Sequence, residues 1–186
     1  MYNQSIKYHL DKFYGDNPEF GEDGGIHEKW AWLEFGFFKI PFPNFKSRSD
    51  IIYLHDVNHI INDYDTTWKG EVSVSAWEIS TGMGRFLTGW LFASFAFGFG
   101  ILIYPKSVYQ AFMKGRITKS LFKMEIPKEE LLNMSLKEVK QITNHEEKVN
   151  YQPTTSDKLR FVLAGSLSCL FFLSPFIFSV LLLITL

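Results

Sequence analysis

The chain has 186 residues, of which 46% are hydrophobic and 17% aromatic, with 19 phenylalanines; this is one domain's length with more apolar side chain than a small soluble domain usually carries. A formal net charge of −1 excludes an overall basic field for nucleic acid and an acidic disordering tail. The single cysteine, Cys169, excludes an internal disulfide and any cysteine-built zinc or iron–sulfur site, so a metal would be held by His and carboxylates.

The charge is unevenly placed. Residues 1–85 carry 8 basic and 13 acidic side chains, residues 86–160 carry 11 and 7, and residues 161–186 carry none. No apolar stretch precedes the first charges, and the early Asp and Glu residues argue against a transit peptide, so an intracellular chain is expected. Residues 1–50 are broken by Gly15-Asp16-Asn17-Pro18, by Gly21 to Gly25 and by Pro41 and Pro43, and are predicted to form an irregular arm. Its aromatic run, Trp30 to Phe38, is expected to pack on the domain or touch a membrane surface.

The apolar spacing of Ile51, Ile52, Leu54, Val57, Ile60 and Ile61 predicts a helix over 51–62. Turn formers follow at 62–67, and Trp68 to Ser80 predicts a second helix, although Val72-Ser73-Val74-Ser75 alternates as a strand would. Residues 86–105 hold no charge; as a helix they align Gly89, Ala93, Ala96 and Gly100 in a small-residue stripe, with Phe92, Phe95 and Phe99 on another. A polar, helix-compatible stretch runs on to about residue 144, and 145–160 reads as a linker. The 26 uncharged residues from Phe161 to Leu186 would make a helix of about 39 Å, enough for one tilted span of a hydrocarbon core of about 30 Å. Lys158 and Arg160 precede it directly, which predicts the helical domain on the cytoplasmic face.

Chemistry concentrates in His55-Asp56-Val57-Asn58-His59. On a helix His55 and His59 lie one turn apart on one face with Asp56 beside them. Glu71 follows after eleven residues, a gap that suits a turn and a returning helix. By spacing alone a surface His pair with a turn-forming Asp reads as well as a metal site for zinc, iron or manganese.

The run HDVNHIINDYDTTWKGEVSVSAWEISTG resembles the signature of the coenzyme Q biosynthesis protein 4 family: H-D-x-x-H, eleven residues, then a Glu preceded by Gly. AFMKGRITKSLFKMEIPKEELLNMSLKEVKQIT is similar to the family's basic Gly-Arg segment, its Leu-Phe and its Leu-x-x-x-x-Leu-x-Glu-Val run. Together these cover about residues 50–144. The resemblance implies an all-α domain that associates with membranes. It also implies a divalent metal ion on His55, Asp56, His59 and Glu71, with zinc expected first and iron or manganese also compatible. The implied reaction is oxidative decarboxylation of a prenylated quinone precursor at the ring carbon bearing its carboxylate, with these four residues as the catalytic set.

Around that set, Glu78 is a candidate to orient a His ligand. Trp90, Phe92, Phe95 and Phe99 are candidates to line a groove for an isoprenoid tail, against the plainer reading of a core helix. Lys114, Arg116 and Lys119 suit anionic head groups or a solvated face. Tyr53 and Trp77 read as packing residues, and His9, His27 and His145 have no partners at ligand spacing. If 86–104 crossed the bilayer, the two family-like stretches would be parted, so that helix is expected to be buried or membrane-dipping and only 161–186 to span.

The C-terminal block departs from the family pattern. The expected organisation is an aromatic arm over 1–50, an all-α metal-binding domain over 51–144, a linker over 145–160 and a transmembrane anchor over 161–186, as a homodimer or in a larger membrane complex and without nucleic acid. One alternative is a non-enzymatic prenyl-lipid-binding scaffold or accessory subunit. Another is a metal phosphohydrolase using His27, His55, Asp56 and a later Asp such as Asp63.

Overall fold

A computed structural model of the chain describes residues 2–21, 29–35, 38–43, 46–49, 51–145 and 151–185. Helix α1 (Ile6–Asp16) begins at Ser5, whose hydroxyl accepts from the Tyr8 amide, and buries Ile6, His9, Leu10 and Tyr14. The arm expected over 1–50 is therefore not irregular throughout, because side chains at 6, 10 and 14 share one helical face and enter the core cluster. The Ile6 amide donates to the Met134 carbonyl (2.8 Å) and the Leu136 amide to the Gln4 carbonyl (3.0 Å), which ties the start of the chain to the far end of the domain. An antiparallel hairpin follows, β1 (Trp30–Phe35) and β2 (Phe38–Pro43), pairing Trp30 with Pro43 and Phe35 with Phe38. It is the one sheet among the described residues, and α2 (Lys46–Ser49) is a single turn.

The rest is helical, as expected. Helix α3 (Ile52–Asn62) ends at Asp63, whose left-handed backbone (φ 59°) returns its amide to the His59 and Ile60 carbonyls. Helix α4 (Trp68–Thr81) is capped by Thr67, whose hydroxyl accepts from the Gly70 amide at 3.3 Å, while Asp65 Oδ1 accepts from the Thr67 amide and hydroxyl. The turn folds so closely onto the first turn of α4 that a Cβ on Gly70 would overlap Asp65. Only glycine allows this approach, and the approach sets Glu71 opposite α3.

Every side chain from Val72 to Glu78 is buried because α4 runs between α3, α5 (Leu87–Ile103) and α6 (Pro105–Gly115). The Val-Ser alternation that reads as a strand is thus an enclosed helix, in which serines return their hydroxyls to nearby carbonyls: Ser73 to Lys69 (2.6 Å) and Ser80 to Phe112 on α6 (2.7 Å). Trp77 is wholly buried with its indole N–H on Thr118 Oγ1 (2.8 Å). Helices α7 (Lys128–Asn133) and α8 (Leu136–Ile142) complete the domain, the latter opened by a Ser135–Glu138 capping box.

Helix α9 (Thr155–Thr185) starts earlier than the expected anchor, so residues 155–160 are helix rather than linker. Asp157 accepts from the Thr154 amide (3.0 Å), from the Thr154 and Tyr151 hydroxyls, and from Arg116 Nε (2.9 Å), which fastens the start of α9 to the end of α6. Thirty-one residues give about 46 Å, and α9 is the one described helix long and apolar enough to cross a membrane. Residues 161–172 dock on α5 and α6: Phe161 meets Phe97, Tyr109 and Phe112, and the backbone at Ser168 passes directly over Gly98. Beyond Pro175 every large side chain through Ile184 is exposed. Helix α5, with Gly100 against Val72 of α4 and Val108 of α6 and with Gly89 against Met83 and Ile51, lies between the domain and α9.

Candidate metal centre

The chemistry converges where α3 and the first turn of α4 face each other. His55 Nε2 lies 3.3 Å from His59 Nε2 and 3.4 Å from Glu71 Oε2, and His59 Nε2 lies 3.4 Å from Glu71 Oε1. Ligand atoms about 2.1 Å from one tetrahedral ion are about 3.4 Å apart; each imidazole nitrogen lies at that distance from a different oxygen of Glu71, and one ligand atom from each of the three residues falls within 4.8 Å of the others, close enough to share one ion.

Proton accounting points the same way. His55 Nδ1 faces Glu78 Oε1 at 3.0 Å and His59 Nδ1 faces the Tyr64 carbonyl at 3.3 Å. Both partners are acceptors, so each Nδ1 carries the proton and each neutral ring aims an Nε2 lone pair at the other and at the Glu71 carboxylate. Three electron-rich atoms around one point fit a bound cation. Without one, burial opposes a charged His55, but the Glu78 and Glu71 carboxylates outweigh it and raise its pKa well above the ordinary imidazole value. Burial likewise opposes the Glu71 carboxylate, and the two imidazoles beside it prevail, holding it well below the usual range.

Two of the expected residues need separate placement. Asp56 lies outside the trio of His55, His59 and Glu71. Successive helical residues point about 100° apart, and its side chain turns toward α1, where Oδ2 accepts from the Tyr14 hydroxyl at 2.6 Å. Burial raises its pKa against the pull of His55 and Tyr14. Glu78 sits two helical turns below Glu71, 1% exposed, on His55 Nδ1 and on Asn58 Nδ2 (2.8 Å), which is where a carboxylate orienting a ligand should be.

Sequence reading missed the α1 contribution and Asn58. The Phe13 ring lies 5.9 Å from the His59 ring, and Tyr14 holds Asp56. The only sequence signal for them was the 6, 10, 14 spacing, hidden by the breaks that follow it.

Among the groove candidates, Phe95 packs on Phe171 and Phe172, and Phe99 on Phe172 and Trp68, so α9 covers both rings. Trp90 lines a cleft of about 230 Å³ with Leu91, Ser94, Leu167, Ser168 and Phe171, and Phe92 is half-buried on the same helix. Of the cations considered for lipid head groups, Lys114 is engaged on the Asn62 carbonyl (3.4 Å) and over the Tyr64 ring and Arg116 on Asp157, while Lys119 is exposed. Asp63, one candidate for the later Asp of the phosphohydrolase arrangement, faces Lys140 Nζ (3.0 Å), and His27 lies outside the described residues. His145 bonds Asn62 Oδ1 (3.1 Å) and Thr143 Oγ1 (2.8 Å), away from the trio.

The centre is thus a His55, His59 and Glu71 group able to hold a metal ion, on a helical domain with one long apolar C-terminal helix. No protein-family model, curated protein or solved structure matches the chain.

Proposed function

We propose that the protein is a metal-dependent, membrane-associated enzyme of quinone biosynthesis that decarboxylates a prenylated benzoquinone precursor oxidatively, the ring carboxylate leaving as CO2 while oxygen or another two-electron oxidant takes up the electrons, with its helical domain on the cytoplasmic face and α9 in the bilayer. The observation that carries the metal dependence is the convergence of His55, His59 and Glu71: the two Nε2 atoms lie 3.3 Å apart, each is 3.4 Å from one oxygen of the Glu71 carboxylate, and one ligand atom from each residue falls within 4.8 Å of the others. Neutral imidazole and carboxylate donors suit zinc, iron or manganese. Such an ion, when bound, supplies a Lewis acid with open positions toward the ring carboxylate and its neighbouring phenol oxygen.

The chain's own residues would do the remaining work. Glu78 holds the His55 ring so that Nε2 faces inward, and Phe13 excludes water beside His59. Trp68, one helical turn before Glu71, stacks edge-on with Phe99 (5.2 Å), which meets Phe172 of α9 (5.7 Å). A run of aromatic rings thus leads from α9 to the first turn of α4, the turn that carries Glu71, which supports a substrate with a polar head and an isoprenoid tail. Resemblance over residues 50–144 supports the quinone precursor as that lipid.

The test is metal content and product together. The full chain should purify with one equivalent of metal and restore quinone production in cells that lack this decarboxylation step, and His59→Ala should abolish both. Normal quinone production by His59→Ala would overturn the enzymatic reading. A second reading, a prenyl-lipid-binding scaffold, is favoured by the cleft between α5 and α9, which none of the metal-centre residues lines; it predicts that His59→Ala keeps the lipid that co-purifies with the chain.

A further inference from the structure

We infer that Asn58 is a positioning residue of the metal centre: it fixes the Glu78 carboxylate and, through it, the direction in which His55 presents Nε2. The inference rests on the metal-binding reading above and goes beyond its ligands to a buried residue that carries no charge and touches none of the three ligand atoms.

The geometry is a two-link relay. Asn58 lies one helical turn after His55 on α3, wholly buried, and its Nδ2 donates to Glu78 Oε1 at 2.8 Å. The same oxygen faces His55 Nδ1 at 3.0 Å, so the two residues of α3 grip one carboxylate oxygen that reaches across from α4. A carboxylate 1% exposed has lost its hydration and takes its orientation from the donors left to it. The Asn58 amide fixes where Oε1 sits, and Oε1 in turn fixes the imidazole plane and the tautomer that leaves Nε2 free.

A second observation shows that this bond, rather than the amide's own satisfaction, dictates the arrangement. Asn58 Oδ1 is the one buried side-chain polar atom without a partner among the described residues. Turning the amide over would set Oδ1 against Glu78 Oε1, acceptor against acceptor. The fold keeps a buried acceptor with no partner among the described residues, an arrangement that native interiors seldom retain without a reason. An ordinary packing role at position 58 would be served by an apolar side chain of the same size.

The test is a cobalt(II) titration of the full chain in detergent micelles, followed by visible absorption, on wild type, Asn58→Leu, Glu78→Leu and the double variant. Wild type is expected to bind one cobalt with ligand-field bands. Asn58→Leu should weaken binding by about 10–100-fold, as loss of an outer hydrogen-bond partner does, and shift the bands, because His55 turns. The double variant should bind no more weakly than Glu78→Leu alone, since Asn58 acts only through that carboxylate.

Unchanged affinity and bands in Asn58→Leu, or losses that multiply in the double variant, would overturn the inference while leaving the metal site standing. Failure of wild type to bind cobalt would overturn the metal reading and this inference with it. Asn58→Ser, smaller and unable to reach Glu78, gives the same readout if circular dichroism shows Asn58→Leu misfolded.

Discussion

Replacing Gly98 by alanine tests whether α9 is a docked part of the domain or a tether. A Cβ at that position would lie 2.6 Å from the Ser168 carbonyl carbon and 2.9 Å from Phe172 Cβ, whereas carbon atoms in contact settle at about 3.5–4.0 Å. The two helices would have to part by roughly 1 Å, because the atoms opposed to the methyl are backbone and Cβ and cannot swing aside. A gap of that size forfeits about a quarter to a half of each dispersion contact it opens. The contacts at stake are Phe95 on Phe171 and Phe172, Phe99 on Phe172, and Ile101 on Gly165. Overpacking of this kind costs about 1–3 kcal/mol, or roughly 2–12 °C in melting temperature for a chain of this size.

The assay is thermal unfolding of the detergent-solubilised full chain by circular dichroism, paired with limited trypsin digestion at Lys158 and Arg160, which should quicken as α9 loosens. Gly15→Ala is the control: nothing lies within 4 Å of a Cβ there, so helix propensity alone should stabilise by about 0.5–1 kcal/mol. If Gly98→Ala melts and digests like wild type, α9 does not dock on α5 and the reasoning fails.

A divalent metal at about 100 times its dissociation constant should stabilise the fold by about 2.7 kcal/mol, raising the melting temperature by roughly 5–11 °C. His59→Ala should show no rise, and an equal rise in that variant would refute the ligand set. Because metal must displace the proton that Glu78 and Glu71 favour on His55, the wild-type rise should shrink from pH 8 to pH 6; a rise that grows instead would contradict the site.

Burial, with Lys114 and Lys140 nearby, pushes the pKa of His145 down to about 3. Its neutral form is the one the fold favours, so its contribution is complete above the unfolded value of about 6.5 and is lost as pH falls toward 3. His145→Gln should lessen the loss of urea stability between pH 6.5 and 5 by roughly 1.5–2 kcal/mol; an identical slope would refute the burial argument. Arg116→Met removes the side chain that joins α6 to Asp157, and faster trypsin cleavage at Lys158 is expected. Unchanged cleavage would mean that the other Asp157 partners suffice.

His55 and His59 one turn apart, with Glu71 placed by a turn and a returning helix, were legible from spacing because a helix fixes which residues share a face. The 26 uncharged residues from 161 likewise fixed a long apolar helix by length alone. Periodicity does not say which neighbour a face meets. Only packing against α1 turned Asp56 toward Tyr14 and left the trio without it, and only the fit of α3 on α4 made Asn58 and Glu78 one unit. Phe95 and Phe99 suited a lipid groove or a core helix equally, since an apolar stripe looks the same in sequence whether lipid or another helix covers it; α9 rests on them. The sequence by itself determined α3, α4, α5 and the long apolar C-terminal helix, and put His55, His59 and Glu71 within reach of one another; the tertiary structure decided what each remaining side chain touches, because those contacts join residues far apart in the chain that no local spacing relates.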